Sequence, residues 1–217
     1  SLNGRNGFQI SGEAVSDNSG FSVSSAGDVN GDGFNDVIIG AAWADPRGDY
    51  SGASYVVFGK AGGFAANLDL STLDGDNGFQ ISGEKVHDLS GWSVSSAGDV
   101  NGDGFDDVIV GAIGADPNGT RSGASFVVFG NTEGFAPNLD LATLDGNNGF
   151  KISGETEFDD CGKSVSSAGD VNGDGFDDLI VGAWLAEPHG NMSGASYVVF
   201  GKANGFTANI SLSSLDG

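Results

Sequence analysis

The sequence predicts an all-β fold: a β-propeller built of four-stranded antiparallel blades, three blades per chain. Two observations carry this. Residues 5–217 are three copies of one 71-residue unit, 5–75, 76–146 and 147–217, and a period of that length marks a stacked repeat architecture. Within each unit the apolar residues fall in short runs bounded by Gly- and Asx-rich turns, which is the pattern of strands. The copying is close, since every residue from Ser22 to Phe34 recurs unchanged at Ser93–Phe105 and Ser164–Phe176. Recent duplication and deliberate design both produce such copies. Ser1-Leu2-Asn3-Gly4 echoes Ser214-Leu215-Asp216-Gly217. The chain therefore opens and closes at one phase, as a piece cut from a longer array would, and its lack of an initial Met fits that expectation.

Each unit reads as four short strands. Phe8–Ser11, Phe79–Ser82 and Phe150–Ser153 alternate apolar and polar residues, as a half-buried strand does. A polar loop leads to Ser22–Asp28, a run of small residues suited to a strand crowded against an axis. Next come an Asp- and Gly-rich loop and the β-branched run Asp36–Ala41, bounded by glycine. After a second polar loop, Trp43–Ser51, the segment Ala53–Gly59 carries Tyr55-Val56-Val57-Phe58. The connection Lys60–Asn77, with Leu68, Leu70 and Leu73, has room for one helical turn. The second and third strands are apolar on both faces, so the units must stack on one another. Antiparallel four-stranded units stacked around an axis make a propeller.

The loop between the second and third of these strands, Ser22–Asp28 and Asp36–Ala41, is the most informative stretch. Asp28, Asn30, Asp32 and Asp36 stand at positions one, three, five and nine, and the pattern returns as Asp99, Asn101, Asp103, Asp107 and as Asp170, Asn172, Asp174, Asp178. Calcium takes six to eight hard oxygen ligands, and alternate positions on a tight loop converge on one point. The carbonyl of the seventh residue, Phe34, Phe105 or Phe176, can add another oxygen, and Gly33, Gly104 and Gly175 allow the sharp turn. An Asx-rich turn that binds nothing is the plainer reading. Three identical spacings, each gathering three carboxylates that repel one another, favour a cation, one calcium per unit and three per chain. The loop is not an EF-hand: position twelve is Ile39, Val110 or Val181, and a strand follows where an EF-hand has a bidentate Glu and a helix. A dockerin module, which also continues into a helix, fails the same test.

A formal net charge of −22 argues against nucleic acid and anionic membrane surfaces as partners. An apolar content of 38% is enough for a core. No apolar run approaches the roughly 18 residues of a membrane span, and no signal peptide is visible. Cys161 is the one cysteine, which rules out an internal disulfide, and Ser19 and Ser90 replace it in the other units.

The run Ser93–Ala112 resembles the FG-GAP repeat of integrin α-subunit propellers and their bacterial relatives, and the resemblance extends over all three units. It implies a calcium-binding propeller in which positions one, three, five, seven (by its carbonyl) and nine of each loop are the ligands. The two name-giving motifs are altered. Phe-Gly is Ser19-Gly20, Ser90-Gly91 and Cys161-Gly162; Gly-Ala-Pro is Gly40-Ala41-Ala42, Gly111-Ala112-Ile113 and Gly182-Ala183-Trp184. Arg47-Gly48-Asp49, a tripeptide that integrins recognise in their ligands, lies in a turn-rich loop and has no counterpart in the other units, so it reads as coincidence. Asn118, Asn191 and Asn209 head glycosylation-type triplets at about the accidental frequency. His87 and His189 occupy non-equivalent loop positions, while Asp17, Asp88 and Asp159 recur at the unit period and are expected to cap turns.

No nucleophile elbow, phosphate loop or zinc pattern is present. The expected function is therefore a non-catalytic, calcium-stabilised scaffold for extracellular adhesion or binding. Alternatives are an accessory module of a secreted enzyme, such as a lyase or phospholipase, and a ligand-free repeat array. The loops Glu13–Gly20 and Trp43–Ser51, with their copies, fall on the face opposite the calcium loops, where a protein or glycan ligand is expected. Three units are fewer than the four to eight blades of a typical propeller. A head-to-tail homodimer closing a six-bladed ring is the expected assembly, with Phe8–Ser11 of one copy completing the last blade of the other.

Overall fold

The computed structural model of the protein describes residues 1–203 and 205–215. Each unit contributes five strands. The first gives β1 (Gln9–Ser11), β2 (Ser22–Gly27), β3 (Asp36–Ala41), β4 (Ala53–Val57) and β5 (Asn67–Asp69). The second gives β6 (Gly78–Ser82), β7 (Ser90–Gly98), β8 (Asp107–Ala112), β9 (Ala124–Val128) and β10 (Asn138–Asp140). The third gives β11 (Gly149–Ser153), β12 (Cys161–Gly169), β13 (Asp178–Ala183), β14 (Ala195–Val199) and β15 (Asn209–Ser211). Residues 216 and 217, which end the third unit and the Ser-Leu-Asp-Gly echo, lie outside the described residues.

The complete sheets have five strands where the sequence predicts four. One runs β2-β3-β4-β6-β10 and the next β7-β8-β9-β11-β15. The first four strands of each are antiparallel neighbours, and the fifth lies parallel to the fourth. The extra strand was missed because it is three residues long, too short to show an alternation. The expected helical turn follows it directly, as the 3₁₀ turn Leu70–Thr72, with Asp69 accepting from the Ser71 N–H at 3.0 Å. Each complete sheet takes three strands from one unit and two from the next. The chain therefore has two partial sheets at its ends: β1 pairs with β5 alone, and β12-β13-β14 has three strands.

The core lies between sheets. Side chains alternate along a strand, so Ile38 and Val56 leave one face of the first sheet and pack with Val94, Val108 and Val110 on the facing side of the second. Ile109 and Val127, one period on, pack likewise with Leu179 and Val181 of the third sheet. The other face of the first sheet, with Ile39, Tyr55 and Val57, is covered by Ile10, Phe64 and Leu68 from and beside the β1-β5 pair. The small-residue strands approach one another closely, as expected. Ser22 donates to the Gly91 carbonyl at 2.9 Å and Ser93 to that of Gly162 at 2.8 Å. A Cβ at Gly40 would collide with that Gly91 carbonyl oxygen, which explains glycine there.

Candidate metal centre

The loop between β2 and β3 folds on its own oxygens. Asp28 Oδ1 accepts from the Asp32 N–H at 3.0 Å and Asp28 Oδ2 from the Gly33 N–H at 2.9 Å. Asn30 Oδ1 accepts from the same Asp32 N–H at 3.1 Å, and Asn30 Nδ2 touches Asp32 Oδ2 at 3.2 Å. Asp32 Oδ1 accepts from the Phe34 N–H at 2.9 Å. The Asn30 and Asp32 bonds to the backbone two residues on are Asx turns of the type these residues form readily, while Asp28 reaches four and five residues ahead. Together they draw the side-chain ends of positions one, three and five together. Gly33 holds φ +87°, Gly104 +91° and Gly175 +91°, a left-handed backbone that a Cβ disfavours.

The pattern repeats in the other two loops. Asp99 accepts from Asp103 and Gly104 at 3.1 and 2.9 Å, and Asp170 from Asp174 and Gly175 at 3.1 and 2.9 Å. Asn101 and Asn172 reach Asp103 and Asp174 at 2.9 and 2.8 Å. Asp103 and Asp174 accept from the Phe105 and Phe176 N–H groups, both at 3.0 Å.

Position nine is placed differently. Asp36, Asp107 and Asp178 are buried at the first residue of β3, β8 and β13. Asp36 accepts from Val29 at 2.9 Å and from Gly59 at 2.8 Å, one N–H on each oxygen. Asp107 does so with Val100 and Gly130, both at 3.0 Å, and Asp178 with Val171 and Gly201, both at 2.9 Å. This carboxylate pins the loop to the segment after the third strand. Each of its oxygens keeps a second lone pair. Burial pushes the Asp36 carboxyl up to about 6 and Asp107 up to about 8; the backbone N–H groups oppose this, and the carboxylates at positions five and one reinforce it.

Among the described residues no three acidic, His or Cys side chains form a group that could hold a metal ion. The donor set nevertheless fits a hard divalent cation. It is all oxygen, three side chains converge, and the two carboxylates at positions five and one help to raise the buried acid beside them.

Sequence reasoning missed position eight. Asp106 accepts from the Asp28 N–H of the preceding loop at 2.8 Å, and Asp177 from Asp99 at 3.0 Å. These acids clasp adjacent loops, and the Phe105 and Phe176 rings lie over Gly31 and Gly102. The recurring Asp-Asp pairs are the only trace in the sequence.

On the opposite face Asp88 and Asp159 are buried and accept from the Lys85 and Thr156 N–H groups, both at 3.0 Å, as turn caps do. Arg121 grips Asp160 through Nε and Nη2 at 3.0 and 2.9 Å, and the Trp184 indole donates to the same carboxylate at 3.1 Å. Arg47 pairs with Asp140. His87 leans on Tyr50. The Cys161 thiol is buried and pushed up to about 12 by burial.

Residues 19–57, 90–128 and 162–199 match the FG-GAP repeat family. Integrin alpha-4 of Xenopus laevis is 28% identical over 83% of this chain and 16% of its own length. Integrin alpha pat-2 of Caenorhabditis elegans is 35% identical over 72% of the chain and 12% of its own. A phosphatidylinositol-glycan-specific phospholipase D of Bos taurus is 31% identical over 81% of the chain and 20% of its own. The chain thus spans a fifth or less of these curated relatives. With the matched segments covering the strand–loop–strand core of all three units, the chain belongs to the FG-GAP repeat family.

Proposed function

We propose that the chain is a calcium-stabilised, non-catalytic propeller segment that serves as an extracellular binding scaffold. The observation that carries this is the threefold recurrence of one oxygen-only loop with positions one, three and five drawn together. Asp28, Asn30 and Asp32 with the Phe34 carbonyl and Asp36 would hold the ion, as would Asp99, Asn101, Asp103, Phe105 and Asp107, and Asp170, Asn172, Asp174, Phe176 and Asp178. The bound cation supplies positive charge to three crowded carboxylates. The chain's own part is to hold loop and strand together through the position-nine acid. Similarity to integrin alpha chains supports adhesion as the role and an extracellular location. Among the described residues no helix is long and apolar enough to cross a membrane.

Calorimetric titration tests the metal reading. Three calcium equivalents per chain are expected, with magnesium weaker because its octahedral demand suits a flexible, carbonyl-containing loop less well. No heat and no shift in melting temperature would sink it. Resemblance to a phospholipase D favours a second reading, an accessory module of a secreted enzyme. Glycan and protein array screens with calcium present, against phospholipid hydrolysis assays, separate the two.

A further inference from the structure

Neighbouring loops are joined at the very residues that would hold the ions. Asp106 stands between two such positions of the second loop, the Phe105 carbonyl and the Asp107 carboxylate. Its carboxylate accepts from the Asp28 N–H of the first loop at 2.8 Å, and its own N–H donates to the Asp28 carbonyl at 3.2 Å. Asp28 is position one of the first loop, so a would-be ligand residue is clasped through both its N–H and its carbonyl. The junction between the second and third loops repeats this. Asp177 accepts from the Asp99 N–H at 3.0 Å and donates to the Asp99 carbonyl at 3.2 Å. Gly27 and Gly98 make room for the clasp, since a Cβ on either would collide with the Asp106 or Asp177 carboxylate.

A second connection runs beneath the first, through the buried acids. Asp36 accepts from the Val29 N–H at 2.9 Å, the Val29 carbonyl accepts from the Asn131 N–H at 3.0 Å, and the adjoining Gly130 N–H donates to Asp107 at 3.0 Å. Position nine of one loop thus reaches position nine of the next through hydrogen bonds in series. From Asp107 the path continues through Val100, then Lys202 at 2.9 Å, and Gly201 to Asp178. Val29 and Val100 are fully buried, so these bonds do not exchange with water. This inner path keeps adjacent loops in a fixed relation. The clasp made by Asp106 and Asp177 is half-buried, and it is the part that can open and close.

We propose that the loops bind calcium cooperatively, each ion raising the affinity of the neighbouring loop through the position-eight acid. Cooperativity rests on the metal reading above and goes beyond it, because three independent sites would satisfy that reading equally well. A loop closed on its ion fixes its position-seven carbonyl and its position-nine carboxylate, and so fixes the acid between them. That acid then holds Asp28, or Asp99, where the neighbouring ion needs it. The second ion meets a loop whose first ligand is already ordered, which is positive coupling through shared ordering. Coupling of this kind changes affinity by about 5- to 150-fold and is reciprocal, so each loop of a pair helps the other equally. The clasps join the first loop to the second and the second to the third, so the coupling passes between neighbours.

Equilibrium dialysis of the full chain against calcium tests the proposal. Three bound ions with a Hill coefficient above 1 are expected. Three ions with a coefficient of 1 or below overturn the coupling and leave the metal sites standing, whereas no bound ion overturns both. Two variants probe the geometry without touching the clasp. Asp32→Ala disables the first loop and should leave two ions bound cooperatively, since the second and third loops remain neighbours. Asp103→Ala disables the middle loop and should leave two ions bound independently. Equal steepness in these two variants overturns the proposal. D106A/D177A should still bind three ions, with the Hill coefficient lowered toward 1, and D106N/D177N, which keeps an acceptor oxygen for the Asp28 and Asp99 N–H groups, should restore it. Circular dichroism matching the parent's identifies folded variants, and unchanged steepness in a folded D106A/D177A removes the position-eight acid as the link.

Discussion

Asp103 joins three parts of its loop: it accepts from Phe105, touches Asn101, and its own N–H binds Asp99. The Asp103 carboxylate bonds only within its own loop, so on the proposed metal reading its removal takes away one ligand of one site and leaves the contacts between loops, made by Asp106 and Asp177, in place. Asp103→Ala should therefore lose one of three calcium equivalents by calorimetry and leave two, since well-separated effects add; loss of all three would mean the sheets respond to metal as one unit. Asp106 makes a different prediction. Its carboxylate is the partner of the Asp28 N–H on the neighbouring sheet. Asp106→Ala should cost about 1–3 kcal/mol, the range for leaving one partly buried donor unsatisfied, with the calcium count unchanged. A melting temperature equal to the parent's would show that water replaces the contact without loss. The drawing together of positions one, three and five was legible because the loop is a local object, read from spacing alone. Asp106 was not legible, because its partner lies 78 positions away in sequence and on another sheet.

At the scale of elements, β3, β8 and β13 were readable to the residue, because Gly and the loop bound an uninterrupted β-branched run. The parallel strands β5, β10 and β15 were not. Each is three residues among Asn and Asp, and its partner is the first strand of its own unit, some 58 positions earlier in sequence, where no local pattern points. The fourth strands themselves were seen, but their home sheet follows only from register. The strands that begin with a buried acid also set a pH dependence. Asp36 and Asp107 are raised from 3.8 to about 6 and about 8, and Asp88 in the β6–β7 connection to about 6, each chiefly by burial. An acid whose folded value is raised binds more protons folded than unfolded between the two values, so stability falls as pH rises through that window. In chelator the melting temperature should drop from about pH 4 to about pH 8, as these values imply. Saturating calcium should flatten the curve. A chelated protein that gains stability on going to pH 8 would refute this.

For the whole molecule, the proposed calcium ions and the stacking of the sheets would act on one balance. The net charge of −22 disfavours a compact state, and three loops concentrate part of it. A ligand that binds only the folded state adds about 2.7 kcal/mol per site at a hundredfold excess over its dissociation constant. Chelation should lower the melting temperature by many degrees, reversibly, and calcium should restore it better than magnesium; an unchanged melt on protein shown to be metal-free would contradict the metal reading. The sharing of each sheet between successive units has a further consequence, for how such a gene can change. Any window of 71 residues, wherever it starts, holds one copy of each of the five strand types. Unequal crossing-over within the identical stretch Ser22–Phe34 and its copies therefore adds or removes one whole sheet and leaves every junction as it was. Blade number can drift in such an array by a single recombination event, with no new seam for selection to repair.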